Sequence, residues 1–188
     1  MPQDLFDHLP AGNSFIQTAQ YFKDRFALNE SCEEIMQIWT DMVGEHYSQK
    51  IMLKDGVKDL LNDLQKIGLR IGLATSNSYQ LAKASLTHNK VWHFFESCAT
   101  GDQQLMGKPH PDIFLASARE LGVEPAECVA IEDTLHGVIA AKNAGMHTLA
   151  IYDADSIPEH ERIKELADAF CMDYLDIRCE LRKLRVNV

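Results

Sequence analysis

Apolar positions recur first with the period of a helix and later in short blocks separated by helical stretches. Phe15, Ile16, Ala19, Phe22 and Phe26 fall on one face of a helix, and Ile35, Ile38, Trp39, Met42 and Val43 form the stripe of a second. Ser31-Cys32-Glu33-Glu34 reads as the capping box that starts this second helix. Residues 13–49 are therefore predicted to form an α-helical hairpin that needs a partner surface. From Lys54 the grammar changes. Val57, Leu60, Leu61, Leu64 and Ile67 make a helix face that Gly68 can end in the left-handed conformation. Leu69 to Ala74 is a continuous apolar run, the pattern of a strand buried on both faces.

The same alternation continues to the C-terminus. Helices are predicted near Tyr79–Leu86, Pro111–Leu121 and Glu159–Leu166, and behind Glu132-Asp133. Strands are predicted at Ser97–Thr100, Cys128–Ile131, His147–Ile151 and Ala169–Cys171. Strands alternating with helices predict a doubly wound, Rossmann-like parallel α/β sheet. The reading divides the chain into a helical part, 1–53, and an α/β core, 54–188.

Composition narrows the function classes. Hydrophobic residues make up 46% of the 188 and charged residues 24%, enough for a real core in a soluble protein. A net charge of −10 argues against a nucleic-acid partner, which a basic patch would attract. The basic cluster Arg178 to Arg185 reads as the exposed face of a last helix. No apolar run approaches the ~20 residues of a membrane span. Five scattered cysteines without a CxxC pair predict a reduced, cytoplasmic compartment.

In such sheets ligands bind beyond the carboxyl ends of the strands, and three groups are expected there. Thr75, Ser76 and Asn77 follow an apolar strand and precede a helix, so they form either a helix cap or an anion nest. Lys108, between Gly107 and Pro109, is either solvated or held to balance phosphate charge. Glu132 and Asp133 end a strand, where adjacent acids must be paired, hydrogen-bonded or metal-bound; Asp133 could instead cap the helix from Thr134. Two carboxylates at that point suit a hard cation such as Mg²⁺. Gly137, Ala140, Ala141 and Ala144 make a small-residue face read as scaffold, and His110, His136, Trp39 and Trp92 as packing or solvent-facing residues.

In order and spacing these segments resemble signature motifs of the haloacid dehalogenase (HAD) superfamily, in its β-phosphoglucomutase-like and sugar-phosphate phosphatase subgroup. The matching runs are Leu73-Ala74-Thr75-Ser76-Asn77, Gly107-Lys108-Pro109-His110-Pro111-Asp112-Ile113-Phe114 and Ile131-Glu132-Asp133-Thr134-Leu135-His136-Gly137, with Ala140-Ala141 and Ala144-Gly145 behind the last. The resemblance implies that Thr75 binds phosphoryl oxygens, with Ser76 and Asn77 beside it. It implies that Lys108 steadies nucleophile and phosphate, and that Glu132 and Asp133 help hold Mg²⁺. It also makes residues 13–49 part of a helical cap, and a small phosphorylated metabolite the partner.

The family's Asp-x-Asp-Gly motif, which supplies the nucleophile at the end of a central first strand, is not found here. Asp4-Leu5-Phe6-Asp7 has the wrong spacing and lacks the glycine. The expectation is a chain without that strand, which the family places between Leu69–Ala74 and Cys128–Ile131. Omitting one strand would leave a gap of about 10 Å between two unpaired edges. The reading attributes this to a missing N-terminal stretch of roughly 40 residues. It predicts weak or absent Mg²⁺ binding and little turnover by the chain as written. The alternatives are a non-catalytic phosphate-ligand or protein-binding homologue, and a homo-oligomer that completes its sheet by exchange.

Overall fold

Two serines set where the helical hairpin begins. The computed structural model of the chain describes residues 14–184 and 186; Asp4, Asp7 and Arg185 lie outside them. Helix α1 (Phe15–Phe26) starts with Ser14 Oγ accepting from Gln17 N at 3.3 Å while Gln17 Oε1 accepts from Ser14 N at 2.9 Å. Helix α2 (Cys32–Gln49) repeats the device with Ser31 and Glu34, at 3.1 and 2.7 Å, as the sequence predicts. The first box, Ser14-Phe15-Ile16-Gln17, has the same spacing with glutamine as the returning acceptor. Trp39 packs 5.8 Å from Phe15 and 5.2 Å from Phe22, ring centre to ring centre, and so joins the two helices.

The predicted α2 stripe splits. Ile35 is buried, but Ile38 and Met42 are 49% and 72% exposed. The helix packs on α1 and α4 (Tyr79–His88), and that packing leaves those two residues uncovered.

Helix α3 (Val57–Lys66) buries Leu60 and Leu61 and is followed by Gly68 at φ 78°, the left-handed stop expected there. The remaining strands and α-helices of the described residues are β1 (Gly72–Thr75), α4, β2 (Ser97–Thr100), α5 (Asp112–Leu121), β3 (Val129–Glu132), α6 (Leu135–Asn143), β4 (His147–Ile151), α7 (His160–Leu166), β5 (Ala169–Cys171) and α8 (Tyr174–Lys183). Every strand pair among the described residues is parallel, as the alternation requires.

The strands form two ladders, β1-β2 and β3-β4-β5, and among the described residues β1 and β3 share no ladder bonds. Within the larger ladder β4 shows the doubly wound logic. Leu149 and Ile151 pack with Leu60, Ile177 and Leu181 from α3 and α8, whereas Ala150 packs with Val138 and Ile163 from α6 and α7.

Strand β1 corrects the expectation of a strand buried on both faces. It starts only at Gly72, which is exposed, and its other three residues are half-buried. Among the described residues the pairing is one-sided: the only strand laddered to β1 is β2, whereas β4 has a partner on each edge and is buried from Thr148 to Ile151. Strand β3 runs one residue further than predicted, so Glu132 belongs to the strand itself. No helix of the described residues is long and apolar enough to cross a membrane.

Leu149 is fully buried at the centre of the larger ladder. Leu149→Ala should cost about 2–5 kcal/mol of stability, read as a lower urea midpoint. A loss below about 1 kcal/mol would mean that the cluster collapses around the cavity.

Candidate active site

The end of β1, the loop before α5 and the end of β3 meet at the Lys108 ammonium. Its Nζ donates to the Ala74 carbonyl at 3.2 Å, makes a short ion pair with Glu132 Oε1, and lies 5.0 Å from the centre of the Phe114 ring. The lysine is far from solvated: its side chain is 12% exposed and that of Glu132 8%. Two charges buried to this degree hold each other in place, because neither has bulk water as an alternative partner.

Gly137, in the first turn of α6, makes room for this arrangement. A Cβ at that position would stand 1.9 Å from Glu132 Oε2. The reading of Gly137 as scaffold holds, and its missing side chain is the space the Glu132 carboxylate fills. Thr134 Oγ1 lies 3.5 Å from the same Oε2 and accepts from Gly137 N at 3.1 Å. Thr134 is therefore the N-cap of α6, and the capping role considered for Asp133 falls to its neighbour.

Asp133 is left free to pair elsewhere. Lys54 Nζ contacts Asp133 Oδ2 at 3.2 Å and also pairs with Asp153, just beyond β4. Burial pulls the Lys54 pKa down, but the hydrogen bonds to Asp153 and Asp133 outweigh it and the net shift is upward. The Lys54 hydrogen bond, followed by the Asp155 N–H, holds the Asp153 carboxyl below the usual carboxylate range. Lys54 and Asp153 were missed in the sequence. They are 99 residues apart, and no local pattern brings them together.

The segment after β1 is built differently from the expectation. Thr75 Oγ1 accepts from Asn77 N at 3.2 Å, and Asn77 Oδ1 from Ser78 N at 2.9 Å. Ser78, not Thr75, caps α4, accepting from Leu81 N at 3.3 Å, and the Tyr79 N–H goes to Asp102 Oδ2 at 3.1 Å. Much of the supposed anion nest is thus already satisfied from within the chain. Thr75 stays beside the Lys108 contact at Ala74, Ser76 is exposed, and Asn77 shapes the turn. Gly101 packs on this turn so closely that a Cβ would meet the Ser76 carbonyl oxygen at 2.0 Å. His110 and His136 are exposed, and Trp92 packs 5.7 Å from Tyr79, as read.

Among the described residues no three His, Cys, Asp or Glu side chains converge as a metal cage. Glu132 and Asp133 nevertheless offer hard oxygen donors, and the Lys54 ammonium already stands as a cation against Asp133. That donor set fits Mg²⁺, which takes one or two carboxylates and completes its shell with water and phosphate oxygens.

Comparison with known proteins follows the same geometry. Residues 9–151 match the family described as haloacid dehalogenase-like hydrolase. The Bacillus subtilis protein YhcW is 33% identical over 132 residues, 70% of this chain and 60% of that protein. Hexitol phosphatase B of Escherichia coli K12 is 33% identical over 99 residues, 53% of this chain and 45% of that protein. The chain thus spans about half the length of these relatives. A mutant of CbbY from Rhodobacter sphaeroides, solved in complex with xylulose-(1,5)-bisphosphate, superposes with a TM-score of 0.68 at 29% identity, covering 76% of this chain and 64% of that one.

Lys108→Met should destabilise by about 3–5 kcal/mol, because it strands a buried carboxylate. Adding Glu132→Gln should recover much of that loss in a urea-denaturation cycle, whereas strictly additive losses would show that the pair is not coupled. Gly137→Ala should lower the melting temperature, at about 1–3 kcal/mol, by pushing the Glu132 carboxylate off Lys108. A rise would mean that helix propensity, worth ~1 kcal/mol in the opposite direction, prevails.

Proposed function

Because the chain belongs to the haloacid dehalogenase-like hydrolases, we propose that its cleft receives the phosphoryl group of a small phosphorylated metabolite such as a sugar phosphate. The activity proposed is that of a Mg²⁺-dependent phosphatase or phosphomutase. The observation that carries this reading is the Lys108 ammonium held between the Ala74 carbonyl and Glu132, next to Thr75.

In this reading the Thr75 hydroxyl donates to a phosphoryl oxygen and keeps the Asn77 N–H in the turn. Lys108 neutralises charge on the phosphoryl oxygens, and Glu132 fixes the position of its ammonium. Ser76 lines the approach. Glu132 and Asp133 hold Mg²⁺, which when bound supplies charge neutralisation of the phosphoryl group. Helices α1 and α2, within residues 1–53, serve as a partial cap over the core, 54–188.

The sequence contains no Asp-x-Asp-Gly run. The described residues then supply phosphate positioning and cation binding without the nucleophile, and the chain as written is proposed to turn over little or no substrate. Assay of a sugar-phosphate panel with Mg²⁺ tests this, on the chain as written and on a form extended upstream by an apolar strand ending in Asp-x-Asp-Gly. Phosphate release is expected from the extended form alone, and Thr75→Val or Lys108→Met should lower its kcat/KM by about 10²- to 10³-fold. Ordinary activity in the chain as written would overturn the missing-nucleophile reading and make Asp4 and Asp7 the first residues to mutate. Silence in both forms would favour a non-catalytic phosphate-binding homologue.

A further inference from the structure

The two adjacent acids are compensated by two different amines, and the difference between them is physical. Glu132 is 8% exposed and is enclosed by Lys108, Thr134 and the bare backbone of Gly137. Its lysine is itself buried and tied to Ala74 and the Phe114 ring, so it cannot withdraw without leaving a charge stranded. Asp133 is 41% exposed, and its lysine, Lys54, is 46% exposed. A pair this open to water is weak and exchanges readily.

Lys54 also has a second carboxylate to hold. Asp153, whose side chain is 22% exposed, pairs with the same ammonium and can keep it nearby once Asp133 is released. At 3.2 Å from Asp133 Oδ2 the ammonium stands against the oxygen that a divalent cation at about 2.1 Å would approach, and the two positive charges repel each other there. The two cations cannot share that oxygen face.

We propose that Lys54 is a built-in counter-cation for the exchangeable half of the acidic pair. It compensates Asp133 when no divalent cation is bound, keeps Asp153 alone when one binds, and so sets the metal affinity of the site. The inference rests on the proposed function only in taking Glu132 and Asp133 as the metal-holding pair. Glu132 is the fixed ligand and Asp133 the one contested by Lys54.

Titration of the chain as written with Mn²⁺, the free ion counted by electron paramagnetic resonance, tests this without any turnover. Lys54→Met and Lys54→Gln should each bind Mn²⁺ about tenfold more tightly than the unmodified chain, since one competing charge is gone. Lys54→Arg keeps the charge and should stay within about twofold. Asp133→Asn should weaken binding in every background. Unchanged or weaker binding in both neutral Lys54 variants, with binding still lost in Asp133→Asn, would overturn the role of Lys54 and leave the metal reading standing. Binding indifferent to Asp133→Asn would overturn both, and no binding even in the neutral Lys54 variants would overturn the role of Lys54, since weak binding is already expected of the chain as written.

Discussion

The carbonyl of Ala74, the ammonium of Lys108 and the carboxylate of Glu132 are widely spaced in the sequence and form one polar contact in the fold. The arrangement around the cleft depends on that contact. Strands β1 and β3 share no ladder bonds among the described residues, so the register of one sheet does not fix the other. Lys108 supplies a direct polar tie between them, with one hydrogen bond to the end of β1 and one ion pair to the end of β3. Because both charged groups are nearly buried, the tie is stiff. Separating them would leave a charge with neither partner nor water.

The local sequence supports this tie at each point. Gly137 lends the space that its missing side chain would fill, so α6 can begin directly against the Glu132 carboxylate. Thr134 caps that helix, which spares Asp133 from the task. Phe114 in the first turn of α5 puts an aromatic face near the ammonium. A buried carboxylate, a cap and an aromatic contact are each ordinary. Together they place a fixed acid beside one that is free to exchange partners.

That contrast gives the cleft an uneven electrostatic character. On the Glu132 side, charge is neutralised internally and the geometry is held. On the Asp133 side, Lys54, Asp133 and Asp153 form a more open chain of alternating charge that water and ions can enter. In the proposed reading, phosphate is positioned from the stiff side and a cation is exchanged on the open one. The helical hairpin joins the core through α2 packed on α4 and through the Phe15 N–H donated to the Gly101 carbonyl at 3.0 Å, and leaves Ile38 and Met42 uncovered among the described residues.

Much of this was legible in the sequence because its causes are local. The alternation of apolar blocks fixed the element order and the parallel sheets, and the capping box at Ser31 and the stop at Gly68 followed from residue chemistry within a few positions. Thr75, Lys108, Glu132 and Asp133 were singled out by motif and by the cost of acids at a strand end. Which amine meets which acid was not legible. Lys54 reaches Asp133 across 79 residues and Lys108 reaches Glu132 across 24, distances at which no periodicity operates. The exposure of β1 was hidden too, since an apolar run reports what a strand could bury but not how many partners it finds. The sequence by itself determined the elements and the candidate groups, through short-range propensity and patterning. Only the tertiary structure decided their pairing, because ion pairs and burial depend on distances that folding alone creates.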